Sequence, residues 1–394
     1  MLRIHFSRIL ILMAMIIYLI PFAAFGAESR PILIGATVSL EGKYESPSFM
    51  IRNAFSLWEK QVNQRGGLLG RPVKLILYDD KSKKELVRHY YKKLITEDKV
   101  DLLFSPYSTS LSLVASEVSE PHKYVMLACG ASGEKIWERG FRYVFGVYAP
   151  AGRYFIGFLD LMARNGLDSL ALLNEATSFN IHAARGVEKW AKLFGLTVVF
   201  HKDYRKGKAE LPLLLKEVVD VNADGLILCA YPDDCYELLS LMKETKYRPK
   251  ALGFTIAPAL PDFYEHVGDM SEGVFGASQW EADERLPFPG TREFIKAFKA
   301  LTKKAPSYHA GSAYAACQIL EEGVKYTKSL NNEALRDFIS SLDTVTVIGR
   351  FKVDHAGKQI GHNPIIIQWQ NGNKEIVYPS KMRTSDPQFD FSKE

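Results

Sequence analysis

Residues 100–117 read VDLLFSPYSTSLSLVASE. The apolar run at 100–104 is followed by the hydroxyls of Ser105, Tyr107, Ser108, Thr109 and Ser110, then by Leu111, Leu113, Val114 and Ala115. The run has the length of a buried strand, and the next segment has helical spacing. Short hydrogen-bonding side chains therefore stand where a strand hands over to a helix. In open parallel sheets, ligands bind outside the C-terminal ends of the strands. The first N–H groups of a helix lack intrahelical partners and, with the helix dipole, attract an anion. Serine and threonine add donors there without adding charge, which suits a carboxylate. The alternative is simple capping by Ser108, Thr109 or Ser110, worth about 1 kcal/mol. Residues 128–133, ACGASG, follow the next strand and again bring small residues, glycines and a hydroxyl to a strand end.

The same alternation extends in both directions. Strands are expected at 32–37, 73–78, 100–104 and 124–127, with helices at 50–64, 86–96 and 111–120 between and after them. A second series follows: helix 151–165, strand 169–173, helix 181–194, strand 197–201, helix 211–221, strand 225–229, helix 235–245 and strand 251–254. Alternation of this kind predicts parallel sheets covered by helices, here as two doubly wound α/β lobes. After about 280 the texture changes. Helices are expected at 291–302, 312–328 and 332–341, then strands at 349–353 and 364–369 joined by turns. The stretch after Pro379 is polar and is expected to fray.

The 394 residues carry a formal net charge of +5. Arg3 and Arg8 lie in the first 27 residues, which hold no acid, so the remainder is 5 − 2 = +3. A charge this small and dispersed does not suggest a polyanion partner, no basic stripe or binding motif is visible, and no nucleic-acid partner is expected. Arg3, His5 and Arg8 precede the apolar ILILMAMIIYLIPFAAF, then small residues, then Glu28-Ser29-Arg30. That order predicts a secretory signal peptide at 1–27, cleaved near Gly26 or Ala27, and hence export. An uncleaved membrane anchor is the alternative. Cys129, Cys229, Cys235 and Cys317 show no metal spacing, and a bond between Cys229 and Cys235 is possible after export. No cofactor is expected.

Seven blocks, weak singly, are specific in their order: IGATVSLEGKY, NAFSLWEKQVNQRGGLLGRPVKLILYDD, LLFSPYSTSLSLVASE, ERGFRYVFG, AYPDDCYELLSLMKE, YAACQILEEGVKY and TVIGRFKVDHAGKQIG. Over about 31–372 the chain resembles the periplasmic leucine/isoleucine/valine-binding protein family, the solute receptors of branched-chain amino-acid ABC importers. The resemblance implies a type I periplasmic binding fold: two lobes joined by three crossings, closing on a ligand between them. The crossings would fall near 147–151, 277–280 and 347–349. Lobe 1 would span 28–147 and 281–347, lobe 2 would span 148–280 and 348–378, and a polar tail would occupy 379–394. It also implies an ABC permease as membrane partner, a small amino acid or organic carboxylate as ligand, and a monomer.

Carried over residue by residue, the resemblance puts the carboxylate hydroxyl on Thr109, beside Ser108. The next loop contributes the backbone of Gly130 and the hydroxyl of Ser132. From lobe 2 come the rings of Phe179 and Tyr231, which would cover the apolar part of the ligand. Two positions depart from the pattern. The first-loop aromatic position holds Pro47, and the acid that pairs with a ligand ammonium falls on Thr255. A buried ammonium needs a negative or strongly accepting partner, so a standard α-amino acid is in doubt unless Glu175, Asp233 or Asp234 substitutes. Trp280, His309 and Tyr44 are further candidates. An enzyme is not expected: Ser132 lies in CGASG near Cys129, but GxSxG is absent and no base or acid stands at recognisable spacing. The alternative function is a soluble ligand sensor that passes occupancy to a membrane signalling partner.

Overall fold

The computed structural model describes residues 30–205 and 210–389, so the expected signal peptide lies outside the described residues. The run ILIGATV forms β1 (Ile32–Val38), buried along nearly all its length, as a central parallel strand requires. In chain order there follow α1 (Glu45–Gln64), β2 (Val73–Asp79), α2 (Lys84–Thr96), β3 (Leu102–Phe104), α3 (Thr109–Ser119), β4 (Met126–Ala128) and β5 (Val144–Gly146). These strands make one parallel sheet in the order β2-β1-β3-β4-β5. Its order reverses between β1 and β3, so the loops that leave those two strands diverge and open a crevice.

The second series begins with α4 (Ile156–Arg164), β6 (Ser169–Glu175), α5 (Ser178–Phe194), β7 (Thr197–Tyr204), α6 (Glu210–Val221) and β8 (Gly225–Cys229). It continues with α7 (Pro232–Thr245), β9 (Ala251–Phe254), α8 (Phe263–Val267) and β10 (Val274–Ser278). Then α9 (Thr291–Thr302), α10 (Tyr308–Thr327) and α11 (Asn332–Ser341) lead to β11 (Asp343–Thr346), β12 (Gly349–Lys352), β13 (Ile365–Gln370) and β14 (Asn373–Tyr378). The second sheet has the order β14-β13-β10-β9-β8-β6-β7, with β13 and β14 antiparallel. It reverses between β6 and β8, repeating the design of the first sheet. Neither β5 (VFG) nor β10 (VFGAS) is marked as a strand by the apolar pattern, because both are short and carry a glycine.

The later helices return to the first sheet. On α10, Glu321 accepts from Trp58 Nε1 at 2.9 Å and from Arg65 Nη2 at 2.9 Å, fastening it to the α1 segment. Residues 349–360, expected in the second lobe, also stay with the first sheet. Gly146 N–H donates to Gly357 O at 2.8 Å, and Gln359 Nε2 to Val147 O at 3.3 Å. The open edge of β5 needs hydrogen-bond partners, and this turn supplies them. The tail does not fray up to its last described residue. Gln368 and Gln370 are buried polar residues on β13 that require partners. Gln388 O accepts from Gln368 Nε2 at 2.6 Å, Ser385 Oγ donates to Gln370 Oε1 at 2.6 Å, and the Phe389 ring stacks on Phe275 at 5.2 Å.

Two passages between the sheets are tied to each other. Gln279, just past β10, accepts from Ala149 N–H at 2.8 Å and donates from Nε2 to Ala149 O at 3.3 Å. Three residues on, Gly152 meets α5. Its N–H donates to Glu134 Oε1 at 2.9 Å, its carbonyl accepts from Trp190 Nε1 at 2.9 Å, and its Cα faces Gly186. A Cβ at Gly186 would stand 2.4 Å from Gly152 Cα and from Gly152 O. Backbone cannot yield as a side chain tip can. Gly186→Ala should therefore lower unfolding free energy by about 1–3 kcal/mol in denaturant titration; an unchanged midpoint would mean the two segments do not touch.

Candidate functional site

The N-terminus of α3 is built by a strand that ends too soon for its hydroxyls to be spent on sheet bonding. Ser108 is the N-cap residue, in extended conformation, yet its side chain caps nothing. Its Oγ is buried and makes no hydrogen bond. The other hydroxyls stitch neighbouring strand ends together: Ser105 Oγ accepts from Cys129 N–H at 3.2 Å, and Thr109 Oγ1 accepts from Gly133 N–H at 3.0 Å. Gly130 is required where it stands, since a Cβ would lie 2.9 Å from Tyr107 Cα and 3.0 Å from Pro106 O. Ser132 Oγ donates to the Tyr154 hydroxyl at 3.3 Å.

These groups face one small cavity. Its first-sheet wall is Tyr107, Ser108, Thr109, Gly130 and Ser132. Phe179 at the start of α5, Tyr231 at the N-cap of α7, and Ile256 beyond β9 form the opposite wall. Tyr148, Tyr154 and Tyr308 complete the enclosure. The rings interlock: Tyr154 and Phe179 stand edge to face at 5.2 Å, and Phe179 and Tyr231 lie 6.4 Å apart. The central free space is about 10 Å³, near what one water centre needs. A larger guest therefore requires the walls to part.

Among the described residues no charged side chain lines the cavity. Burial pushes the phenols of Tyr107, Tyr148, Tyr231 and Tyr308 well above their ordinary range, and that of Tyr154 up to about 12, so all stay neutral. Burial also pushes His309 down to about 3, so this imidazole is uncharged at neutral pH. His309 stands behind the wall, not in it. Its Nε2 meets the Tyr107 hydroxyl at 3.3 Å and its Nδ1 meets Ser307 Oγ at 3.2 Å, which makes it a support for Tyr107.

Two further expected residues are placed elsewhere. Thr255 Oγ1 donates to Ala230 O at 2.8 Å and accepts from Ala230 N–H at 3.0 Å, so its hydroxyl bridges the ends of β9 and β8. The cavity receives the next residue, Ile256. Trp280 packs on Phe294 at 5.9 Å and against Gly311, away from the cavity. Pro47 is buried in α1 and does not line it either.

Nor does any substitute acid reach the cavity. Glu175 lies 3.8 Å from Lys43 Nζ and accepts from Asn180 Nδ2 at 3.1 Å. Asp234 accepts from the Tyr204 hydroxyl at 2.6 Å, and Asp233 is exposed on the outer groove. Tyr44 and Lys43 cover the rim. Tyr44 packs on Tyr231 at 5.1 Å and on Tyr107 at 5.5 Å, and Lys43 Nζ sits 5.0 Å and 5.1 Å from the Tyr44 and Tyr231 ring centres. All four cysteines are buried free thiols, so Cys229 and Cys235 are not bridged. Among the described residues no group of three or more His, Cys, Asp and Glu side chains is arranged to hold a metal.

Sequence reasoning missed Tyr107, Tyr148, Tyr154, Tyr308, Ile256 and Lys43. Tyr107 was visible inside the hydroxyl stretch itself. Tyr308 precedes a candidate residue, but nothing local distinguishes a tyrosine that lines a cavity from one that packs a core.

A family model described as periplasmic binding protein matches residues 31–374. A curated relative from Brucella suis biovar 1 (strain 1330), Leu/Ile/Val-binding protein homolog 7, is 23% identical over 347 residues, covering 83% of this chain and 86% of the relative. Among solved structures, the leucine binding protein LivK from Thermotoga maritima superposes with a TM-score of 0.79 at 15% identity, covering 88% of this chain and 97% of that one. A solute binding protein of an ABC transporter from R. palustris, in complex with benzoate, superposes with a TM-score of 0.75 at 17% identity, covering 88% and 95%. The two wound sheets are the fold of these proteins, and, with the family model matched over most of its length, the chain belongs to the periplasmic binding protein family.

Proposed function

We propose that the chain is the extracytoplasmic solute-binding protein of an ABC importer and that it holds one small carboxylate between its two lobes. Membership of the family supports the role. One observation carries the choice of ligand: the cavity between the sheets offers hydroxyls and a helix N-terminus, and no acid among the described residues. A carboxylate buried there would meet Ser108, Thr109 and Ser132 with the N–H groups of α3, which are charge-assisted contacts. A buried ammonium would meet only rings and hydroxyls and would remain uncompensated. The ligand is therefore a carboxylate without an α-ammonium group, its apolar body covered by Phe179 and Tyr231.

Mechanism follows from geometry. A ligand that touches both walls stabilises the form in which they are close, by its difference in affinity for open and closed states. A membrane permease that prefers the closed form would then receive loaded protein. The chain would act as a monomer in the periplasm, after removal of the leader at 1–27. Lys43, beside Glu175 and over the Tyr231 ring, adds attraction across the rim in that closed form.

Melting curves test the ligand class. Benzoate and 4-methyl-2-oxopentanoate should each raise the melting temperature, by about 2.7 kcal/mol of stability at a hundred times Kd, and leucine should not. A shift with leucine alone would contradict the reading. Ser108→Ala removes a hydroxyl that bonds nothing in the protein. It should leave unliganded stability nearly unchanged while weakening carboxylate binding by about 1.5–3 kcal/mol in calorimetric titration; equal binding would remove Ser108 from the site.

A further inference from the structure

Tyr148 stands where the chain leaves the first sheet for the second, at the floor of the cleft. It is 2% exposed and lines the cavity. The backbone beside it is fixed, because both polar groups of Ala149 are bonded to the Gln279 side chain. Its ring is wedged edge-on against Tyr308 at 5.5 Å and lies 6.4 Å from His309. A phenol held this firmly normally has a partner for its hydroxyl, yet Tyr148 OH makes no hydrogen bond. Ser108 Oγ, on the same cavity and also 2% exposed, makes none either. Burying a hydroxyl unbonded costs free energy, and both of these residues line one small enclosed space.

We propose that Tyr148 is a specificity-determining ligand contact, whose hydroxyl donates to the carboxylate from the cleft floor while Ser108 donates from the first lobe. The inference rests on the carboxylate reading above. Burial keeps the phenol neutral, so it donates without bringing a like charge to the anion. Being on the passage between the sheets, it is in position before the walls close. Ligand seated against it then has its charged end fixed at the floor and its apolar body between Phe179 and Tyr231. An acid too long to reach the floor loses this contact, so Tyr148 selects by length as well as by charge.

The rival use of the hydroxyl is structural. Ser312 Oγ on α10 is near enough to act on the Tyr148 phenol as a hydrogen-bond partner, although neither hydroxyl makes a bond of good geometry, so a small rotation would pair the two. Titration of wild type, Tyr148→Phe and Ser312→Ala with benzoate and with 4-methyl-2-oxopentanoate, alongside melting curves, separates the two uses. Tyr148→Phe is expected to melt within a degree or so of wild type, or above it, and to bind both acids about tenfold or more weaker. Ser312→Ala is expected to bind them as wild type does. Unchanged affinity in Tyr148→Phe overturns the proposal while leaving the carboxylate reading intact. A loss of several degrees in unliganded Tyr148→Phe, matched by Ser312→Ala, makes the hydroxyl structural and also overturns it. Failure of wild type to bind either acid removes the carboxylate reading and this inference with it.

Discussion

An anion taken out of water must find its lone pairs met by donors, or the transfer costs several kcal/mol. On the carboxylate reading proposed above, most of the site's construction answers that one requirement. Among the described residues the protein supplies no cation to the cavity. It supplies the first N–H groups of α3, hydroxyls that the helix and the strands have not consumed, and a ring wall that keeps competing water out. Uncharged donors fixed in place do this without the penalty of burying a second ion. The same construction is poor for an ammonium group, so the acid-free described lining supports the proposed ligand class more than any single contact does.

The fold makes such a site available twice over. Each sheet reverses its order beside a central strand, and each reversal opens a crevice at the strand ends. Facing the two crevices produces a cavity with donors on one side and rings on the other. What links the halves is thin but well bonded. Gln279 clamps Ala149, Gln359 holds Val147, and Gly152 is wedged between Glu134, Trp190 and Gly186. Firm passages are what a hinge needs, since the proposed closure would then rotate whole lobes and not deform them.

Much of this is legible in the order of residues, for a physical reason. Strands buried on both faces read as continuous apolar runs, and surface helices as spaced ones, so both wound series are visible, as is the hydroxyl cluster at the end of β3. Where the signal is short it is lost. The glycine-bearing β5 and β10 look like loop. The place of 349–360 beside the first sheet is not readable, because edge pairing along β5 is a tertiary choice that leaves no local mark. The tail is polar, which suggests fraying, yet its backbone satisfies Gln368 and Gln370. In the site, Ser108, Thr109, Gly130, Ser132, Phe179 and Tyr231 share the cavity, while Thr255, Trp280 and His309 do not line it. Thr255, just past β9, spends its hydroxyl on the Ala230 backbone, and the next residue, Ile256, is the one that lines the cavity. The tyrosines that fill the remaining wall arrive from distant segments, and only folding brings them together.

The central claim is that the cavity carries no titrating charge. The dissociation constant of benzoate measured against pH tests it most directly. With His309 held neutral and every lining phenol neutral, affinity should be flat between about pH 6 and about pH 8.5, and should fall only as the ligand's own carboxyl protonates. A step in affinity near neutrality would mean that an ionising side chain holds the ligand, and would contradict the account.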